Sequence, residues 1–324
     1  MLAYFAIPIY VISLSFEIWW SHRQQSQSYE ARDTVASLSL GLGSVAIGLM
    51  FAFIELGVLE FFYQFAIFKD LPTHTWWFFA LLFLGEDFCY YWFHRLGHEM
   101  RWMWASHVNH HSSTKYNLGT ALRQSWTAVL TMPFFWWPLA LLGIPPEWIL
   151  IQKSISLIYQ FFIHTEHVRT LGPLEWVLNT PSHHRVHHAS DLNYLDANYG
   201  GILIVWDRLF GTFVKEEEQP TYGLIHDIES YNLITIAFHE WVAMGRDVTR
   251  PGIPLSARLR YVFGPPGWSH DGSKLTVTQM REQAAELTND SQPAEGAGEL
   301  SSDPSLPPEE PPCDLPVRSA HTGC

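Results

Sequence analysis

Cysteine is scarce in this chain, and what there is lies scattered. Cys89, Cys313 and Cys324 form no C-x-x-C pair, which excludes a disulfide framework, a zinc ribbon and a dithiol redox motif. Basic residues are absent from 35–68, a 34-residue stretch. At about 1.5 Å per residue that is longer than one bilayer crossing, so it reads as one span with an interfacial continuation. No G-x-G-x-x-G follows a strand-like run, so nothing in the chain would hold a nucleotide electron carrier. No basic stripe alternates with aromatics, which argues against a nucleic-acid partner. The formal net charge of −13 says little about partners: from Glu286 onward eight acids face one base, Arg318, among seven of the 20 prolines. That composition cannot bury a core, and 286–324 is expected to be a disordered acidic tail.

Apolar runs, in contrast, are plentiful, at 2–20, 35–68, 76–93, 126–142 and 148–163. The first lacks the basic start and small-residue cleavage site of a signal peptide, so it reads as a retained helix. The last two, joined through Gly143-Ile144-Pro145-Pro146-Glu147, are short and suit a hairpin that only partly crosses. Arg23 and Arg32 follow the first run, Arg95, Arg101, Lys115 and Arg123 the third, and Arg169, Arg185, Arg208 and Lys215 the fifth. Lys and Arg are retained in cytosolic loops, so the polar blocks 94–125 and 164–285 are expected to emerge together on that face. The fold class is therefore all-α, a polytopic membrane helical bundle with a cytosolic cap. Its expected parts are N-terminal transmembrane helices at 1–75, a metal domain at 76–285 and the tail at 286–324.

Eleven of the 17 histidines lie between His94 and His188. His94 and His98 form H-x-x-x-H as the third run ends; His107, His110 and His111 form H-x-x-H-H, which His184, His187 and His188 repeat. Residues three or four apart share a helix face, so each box can aim two or three imidazoles at one point. Neutral imidazole suits iron, zinc, copper and nickel. Eight ligands exceed one tetrahedral zinc and suit two metals with open positions. His164, where the fifth run ends, is a ninth candidate; His183 is off the register and His167 follows on the helix face. His22, His74, His226, His239, His270 and His321 are isolated and read as structural or solvated. Glu99, Glu166, Glu175 and Asp196 could orient imidazoles or carry protons. Tyr90, Tyr91, Trp92, Trp102 and Trp104 suit an interfacial aromatic belt.

The strings YYWFHRLGHEMRWMWASHVNHHSSTKYNLGTALRQSW at 90–126, QFFIHTE at 160–166, LGPLE at 171–175, NTPSHHRVHH at 179–188 and NYGGILIVWDRLFGTF at 198–213 closely resemble the fatty acid hydroxylase and sterol desaturase superfamily. Within it they look most like the alkylglycerol monooxygenase branch and its bacterial relatives. The resemblance implies two irons ligated by the eight box histidines, with His164 the further candidate from its position, and it places Glu99 in the active site as a catalytic residue. It implies oxygen-dependent hydroxylation of a membrane lipid, an ether lipid or a relative; a lipid or sterol desaturase on the same core is the alternative, and a metal-binding membrane protein or transporter is the reading from another class. Electrons must come from outside, from an electron-transfer protein or a reduced pterin, with Arg101, Lys115, Arg123 and Arg208 as candidate docking charges. The setting it suits is a bacterial inner membrane or the endoplasmic reticulum, with the site facing the cytosol.

Overall fold

The computed structural model describes residues 5–290, with side chains to Leu287. Among them there is no strand, only two isolated antiparallel bridges, Leu178 with Leu203 and Ala189 with Tyr222. Helix α1 (Ile7–Arg23) starts with a proline in its first turn, where the missing N–H costs nothing. Helix α2 (Ala31–Tyr63) is capped by Glu30, whose carboxylate accepts from the Asp33 amide at 2.9 Å. Among the described residues α2 is the one helix long and apolar enough to cross a membrane. Its 33 residues span about 50 Å, more than the ~30 Å hydrocarbon core. The excess lies at its start, where Asp33, Ala36, Ser37 and Leu40 are buried, Ala36 and Leu40 against Ile236 and Ala237.

The helix is inside out by soluble standards: Leu42 and Phe53 are 74% and 67% exposed, whereas Asp33 and Ser37 are 4% and 1% exposed. Together with the exposed Ile12 and Phe16 of α1 and Trp76 and Phe79 of α3 (Trp76–Glu99), this apolar surface fits lipid, not water. The fold is that of an all-helical membrane protein. Its apolar core lies where α2 and α3 meet α7 (Trp137–Leu142) and α8 (Pro146–Ile163), around Leu59, Phe78, Leu82, Trp136, Leu139 and Ile149. Since lipid tails are as apolar as leucine, such helices hold together by close packing and hydrogen bonds more than by hydrophobic transfer. One tight point is Gly143, with φ of 109°, between α7 and α8: a Cβ there would lie 1.9 Å from the Phe68 carbonyl oxygen.

The fourth apolar run is not one continuous helix over 126–142. It forms two 3-10 turns, Ala128–Leu130 and Met132–Phe134, before the six-residue α7. Pro133 and Pro138 lack the N–H that a continuous helix needs, and their rings clash with the preceding turn.

The polar blocks are built from short pieces: α4 (Arg101–Ala105), α5 (Val108–His111), α6 (Leu118–Ala121), α9 (Pro181–His187) and α10 (Val205–Phe210), then α11 (Leu233–Val248), α12 (Leu255–Phe263) and α13 (Val277–Asp290). The compact unit ends at Gln283. Of the acidic tail, residues 286–290 belong to α13 and the remainder lies outside the described residues.

Candidate metal centre

Nine histidines converge in two groups. His94, His98, His107, His111 and His187 form one, and His110, His164, His184 and His188 the other, with candidate ligand atoms within 4.8 Å of one another in each. These are the nine residues that spacing and position single out. The partition differs from the expectation that each box aims at one point, because adjacent residues on a helix diverge by about 100°. Thus His110 and His111 enter different groups, as do His187 and His188. The groups adjoin, with the rings of His111 and His188 stacked 4.3 Å apart.

Backbone carbonyls set the rings. The Nδ1 of His94 donates to the Tyr199 oxygen at 2.9 Å, and that of His187 to Ala197 at 2.9 Å. In the other group, Nδ1 of His164 donates to Gln160 at 2.7 Å, and that of His110 to Arg123 at 3.3 Å. A carbonyl can only accept, so these four imidazoles carry their proton on Nδ1 and present a bare Nε2. Yet Nε2 of His164 and Nε2 of His110 lie 3.3 Å apart, lone pair against lone pair. Buried Nε2 atoms of His98, His187 and His188 have no hydrogen-bond partner. Such a constellation repels itself without a cation between the nitrogens; the residues fit a metal. Burial, reinforced by neighbouring imidazoles, pushes His107, His111, His187 and His188 well below the usual imidazole range. They are therefore neutral at physiological pH, the form that ligates metal.

Carboxylates absent from the site expectation hold this arrangement in place. Asp87, inside the apolar run of α3, accepts from the amides of Ile202 at 2.7 Å and Leu203 at 3.1 Å, and from Trp206 Nε1 at 2.9 Å. Asp207 accepts from the amides of Tyr199 at 2.7 Å and Gly200 at 2.8 Å. Together they pin the 197–207 segment whose carbonyls steer His94 and His187. Burial pushes the Asp207 carboxyl up to about 6. Asp87 is a charge inside an apolar run, and that is the signal by which it could have been found. On the other side, Glu17 of α1 accepts from Tyr29, from the Leu118 amide and from Thr165, the neighbour of His164.

Two expected docking charges are not on the surface. Arg123 is buried, donating to Asp33 of α2 at 3.2 Å and to the Asn109 carbonyl at 3.1 Å, so it ties the second box to α2. Arg101 is buried between Glu240 at 2.6 Å and Asp247 at 2.8 Å. Both are consumed by carboxylates of packed helices, which a loop-charge count does not see. Lys115 donates to the Gln27 carbonyl, while Arg208 is exposed beside Trp176 and Phe213. Tyr91 also departs from the aromatic belt: fully buried, it packs on Phe210 and bonds Thr212.

Of the remaining candidates, Asp196 lies 3.6 Å from Nδ1 of His98, beyond hydrogen-bond distance. Glu99 pairs with Arg95 at 2.8 Å and is 41% exposed. Glu175 accepts from the Leu171 amide, and Glu166 lies against Tyr222. His183 stands outside both groups, accepting the Thr180 amide at the start of α9. His167 bonds Ser21 instead. Unanticipated is Tyr199, its ring 5.3 Å from that of His98 and its buried hydroxyl without a partner.

Helical spans topped by histidines in these groups define a class, the membrane-bound histidine-box proteins, and similarity narrows it. Residues 79–212 match the fatty acid hydroxylase family model. The chain is 40% identical to alkylglycerol monooxygenase of Xenopus tropicalis over 289 residues, 89% of this chain and 64% of that one. The human alkylglycerol monooxygenase is 42% identical over 248 residues, 76% of this chain and 55% of the relative. An ornithine lipid hydroxylase of Rhizobium tropici is 32% identical over 128 residues, 39% of each chain. The chain thus spans under two thirds of the length of the vertebrate relatives it matches. No solved structure matches.

Proposed function

We propose that this protein is a membrane-embedded di-iron monooxygenase that uses dioxygen to hydroxylate a lipid, with an ether lipid of the alkylglycerol kind as the favoured substrate. The observation that carries this reading is the pair of largely buried histidine groups whose ring nitrogens converge, several of them without a hydrogen-bond partner. His94, His98, His107, His111 and His187 would hold one iron, and His110, His164, His184 and His188 the other. When bound, the irons would supply the dioxygen activation that no side chain can perform.

The chain's own part is positioning. Carbonyls of Ala197, Tyr199, Gln160 and Arg123 hold four rings in a single tautomer, which sharpens the donor direction of each nitrogen. The first box lies in the last turns of α3 and His164 directly follows α8, so a chain entering from the bilayer meets the centre with its head group near the polar blocks. This favours reaction at a carbon close to the head, such as an ether carbon, and a site on the cytosolic face of a bacterial inner membrane or the endoplasmic reticulum. Electrons would come from a separate electron-transfer protein or a reduced pterin, and the exposed Arg208 is a candidate contact. The names of the relatives support lipid oxygenation as the class of reaction. Glu99 is proposed as a catalytic residue on its match to that branch, with Arg95 as its partner.

The test is incubation of membranes with alkylglycerols, free fatty acids and sterols under isotopically labelled dioxygen. Incorporation of one labelled oxygen beside an ether or head group is expected, lost in Glu99→Ala with metal content retained. Loss of two hydrogens without labelled oxygen would make the protein a desaturase, and modification only of a water-soluble compound would overturn the lipid reading.

A further inference from the structure

The helices that lead to the histidines contain polar side chains that the metal centre does not use. On α3, Glu86, Tyr90, His94 and His98 recur at every fourth residue; on α8, Gln152, Ser156, Gln160 and His164 do the same. Residues four apart share a helix face, so each helix has one polar stripe that runs up to a candidate ligand. The two helices pack against each other, both pointing their C-terminal ends at the histidines. Except for Tyr90, which is half-buried, every member of both stripes is buried.

The foot of the stripes is ionic. Trp136 Nε1 donates to Glu86 Oε1 at 3.2 Å, and the Lys153 ammonium lies 4.0 Å from the centre of the Trp136 ring while pairing with Glu55 of α2. Higher up, Gln160 Nε2 donates to Ser156 Oγ at 3.0 Å, and the Gln160 carbonyl receives His164 Nδ1 at 2.7 Å. A purely structural clamp between α2, α8 and Trp136 accounts for Glu55, Lys153 and one oxygen of Glu86. It leaves unexplained the other oxygen, Oε2 of Glu86, and Nε2 of Gln152, both buried and without a partner. Ionisable residues facing the interior of a membrane helical bundle mark ion and proton routes, and buried polar atoms lacking protein partners are what ordered water satisfies.

We propose that the buried polar stripes of the packed helices α3 and α8 hold a file of water that carries protons from Glu86 to the histidine centre. The inference rests on the monooxygenase reading, which creates the demand. Lipid C–H, dioxygen, two electrons from the external donor and two protons give lipid C–OH and water. One oxygen atom ends between carbon and hydrogen, and the other leaves with both protons. In this scheme the Glu86 carboxyl releases a proton into the file past Tyr90 and Ser156 and is reprotonated past the Lys153–Glu55 pair. That pair lies seven residues, roughly 10 Å, from the start of α8, the end away from the histidines.

The test begins with access. In a background where Cys89, Cys313 and Cys324 are alanine, Ser156→Cys and the lipid-facing Ile155→Cys are treated in membranes with a small charged thiol reagent. Labelling about tenfold faster at 156 is expected, since lipid excludes such a reagent and a water file admits it. Next, Glu86→Gln should keep its metal content, lose roughly 10–100-fold in oxygen-consuming turnover and show a larger solvent deuterium isotope effect, with Glu86→Asp restoring part of the rate. Labelling no faster at 156 than at 155 would overturn the proposal, as would full turnover and an unchanged isotope effect in Glu86→Gln. If Glu86→Gln fails to insert, the labelling ratio decides alone. If the protein consumes no oxygen on any lipid, the monooxygenase reading falls while the labelling still judges the file.

Discussion

The five-histidine group takes its rings from all three boxes and is steered by the 196–199 segment, whereas the four-histidine group replaces the first box with His164 and is steered from the end of α8 and from Arg123. The first is therefore tied to a loop pinned by Asp87 and Asp207, and the second to helices α1, α2 and α8 through Glu17, Asp33 and Gln160. The difference teaches that two neighbouring metal sites can rest on separate supports and so can be broken one at a time. It also explains several of the buried carboxylates: Asp87 and Asp207 satisfy backbone amides, and Asp33 a guanidinium, of segments that hold ring-steering carbonyls in place.

The largest effect should come from removing one ligand of each group. His187→Ala and His164→Ala are both expected to lower lipid oxygenation by more than about 100-fold, beyond the 10–100-fold typical of a lost supporting partner. Product analysis under labelled oxygen reads this, and normal turnover in either variant would remove that histidine from the site.

Next in size, Asp207→Asn should separate the groups. Loss of its carboxylate frees the Tyr199 and Gly200 amides, and with them the carbonyl that orients His94. Metal affinity is expected to fall about 10–100-fold at the five-histidine group only, as read by chelator competition in two phases. Equal weakening of both phases would mean that the supports are not separate.

A smaller effect, outside both groups, is expected from acid. Burial raises the proton affinity of Asp247, but its hydrogen bonds to Lys274 and Arg101 outweigh that and hold the carboxyl below its usual range. A depressed carboxyl contributes stability that is present above the unfolded value, about 4, and lost as pH falls through the folded value. The contact between α4 and α11 should therefore loosen as pH drops below about 4, seen as faster amide exchange there. In Asp247→Asn that pH dependence should vanish. The smallest effect is expected from truncation after Asp290, which should leave metal content and turnover unchanged.

Much of the site was legible because ligands must share a helix face, and three- and four-residue spacing records that directly. His164 was legible from topology, since the run that ends there returns to the same side as the boxes. The division into two groups was not, because it depends on how α5 and α9 are rotated against each other, which spacing within a box does not encode. The steering groups were hidden for a different reason: they are backbone carbonyls, placed by Asp87 and Asp207 from distant segments. Arg123 and Arg101 stand among the candidate docking charges in the sequence because the partners that bury them, Asp33 and Asp247, lie 90 and 146 residues away. In the fold, the apolar runs marked the helices except at 126–142, where Pro133 and Pro138 outweighed hydropathy.

Metal stoichiometry tests the central claim most directly. Elemental analysis of the purified, iron-loaded protein in detergent should find two irons per chain in the unaltered protein, and one in each of His187→Ala and His164→Ala, with neither iron retained when both are changed. A single iron in the unaltered protein, or two in both single variants, would contradict the account of two separately supported metal sites.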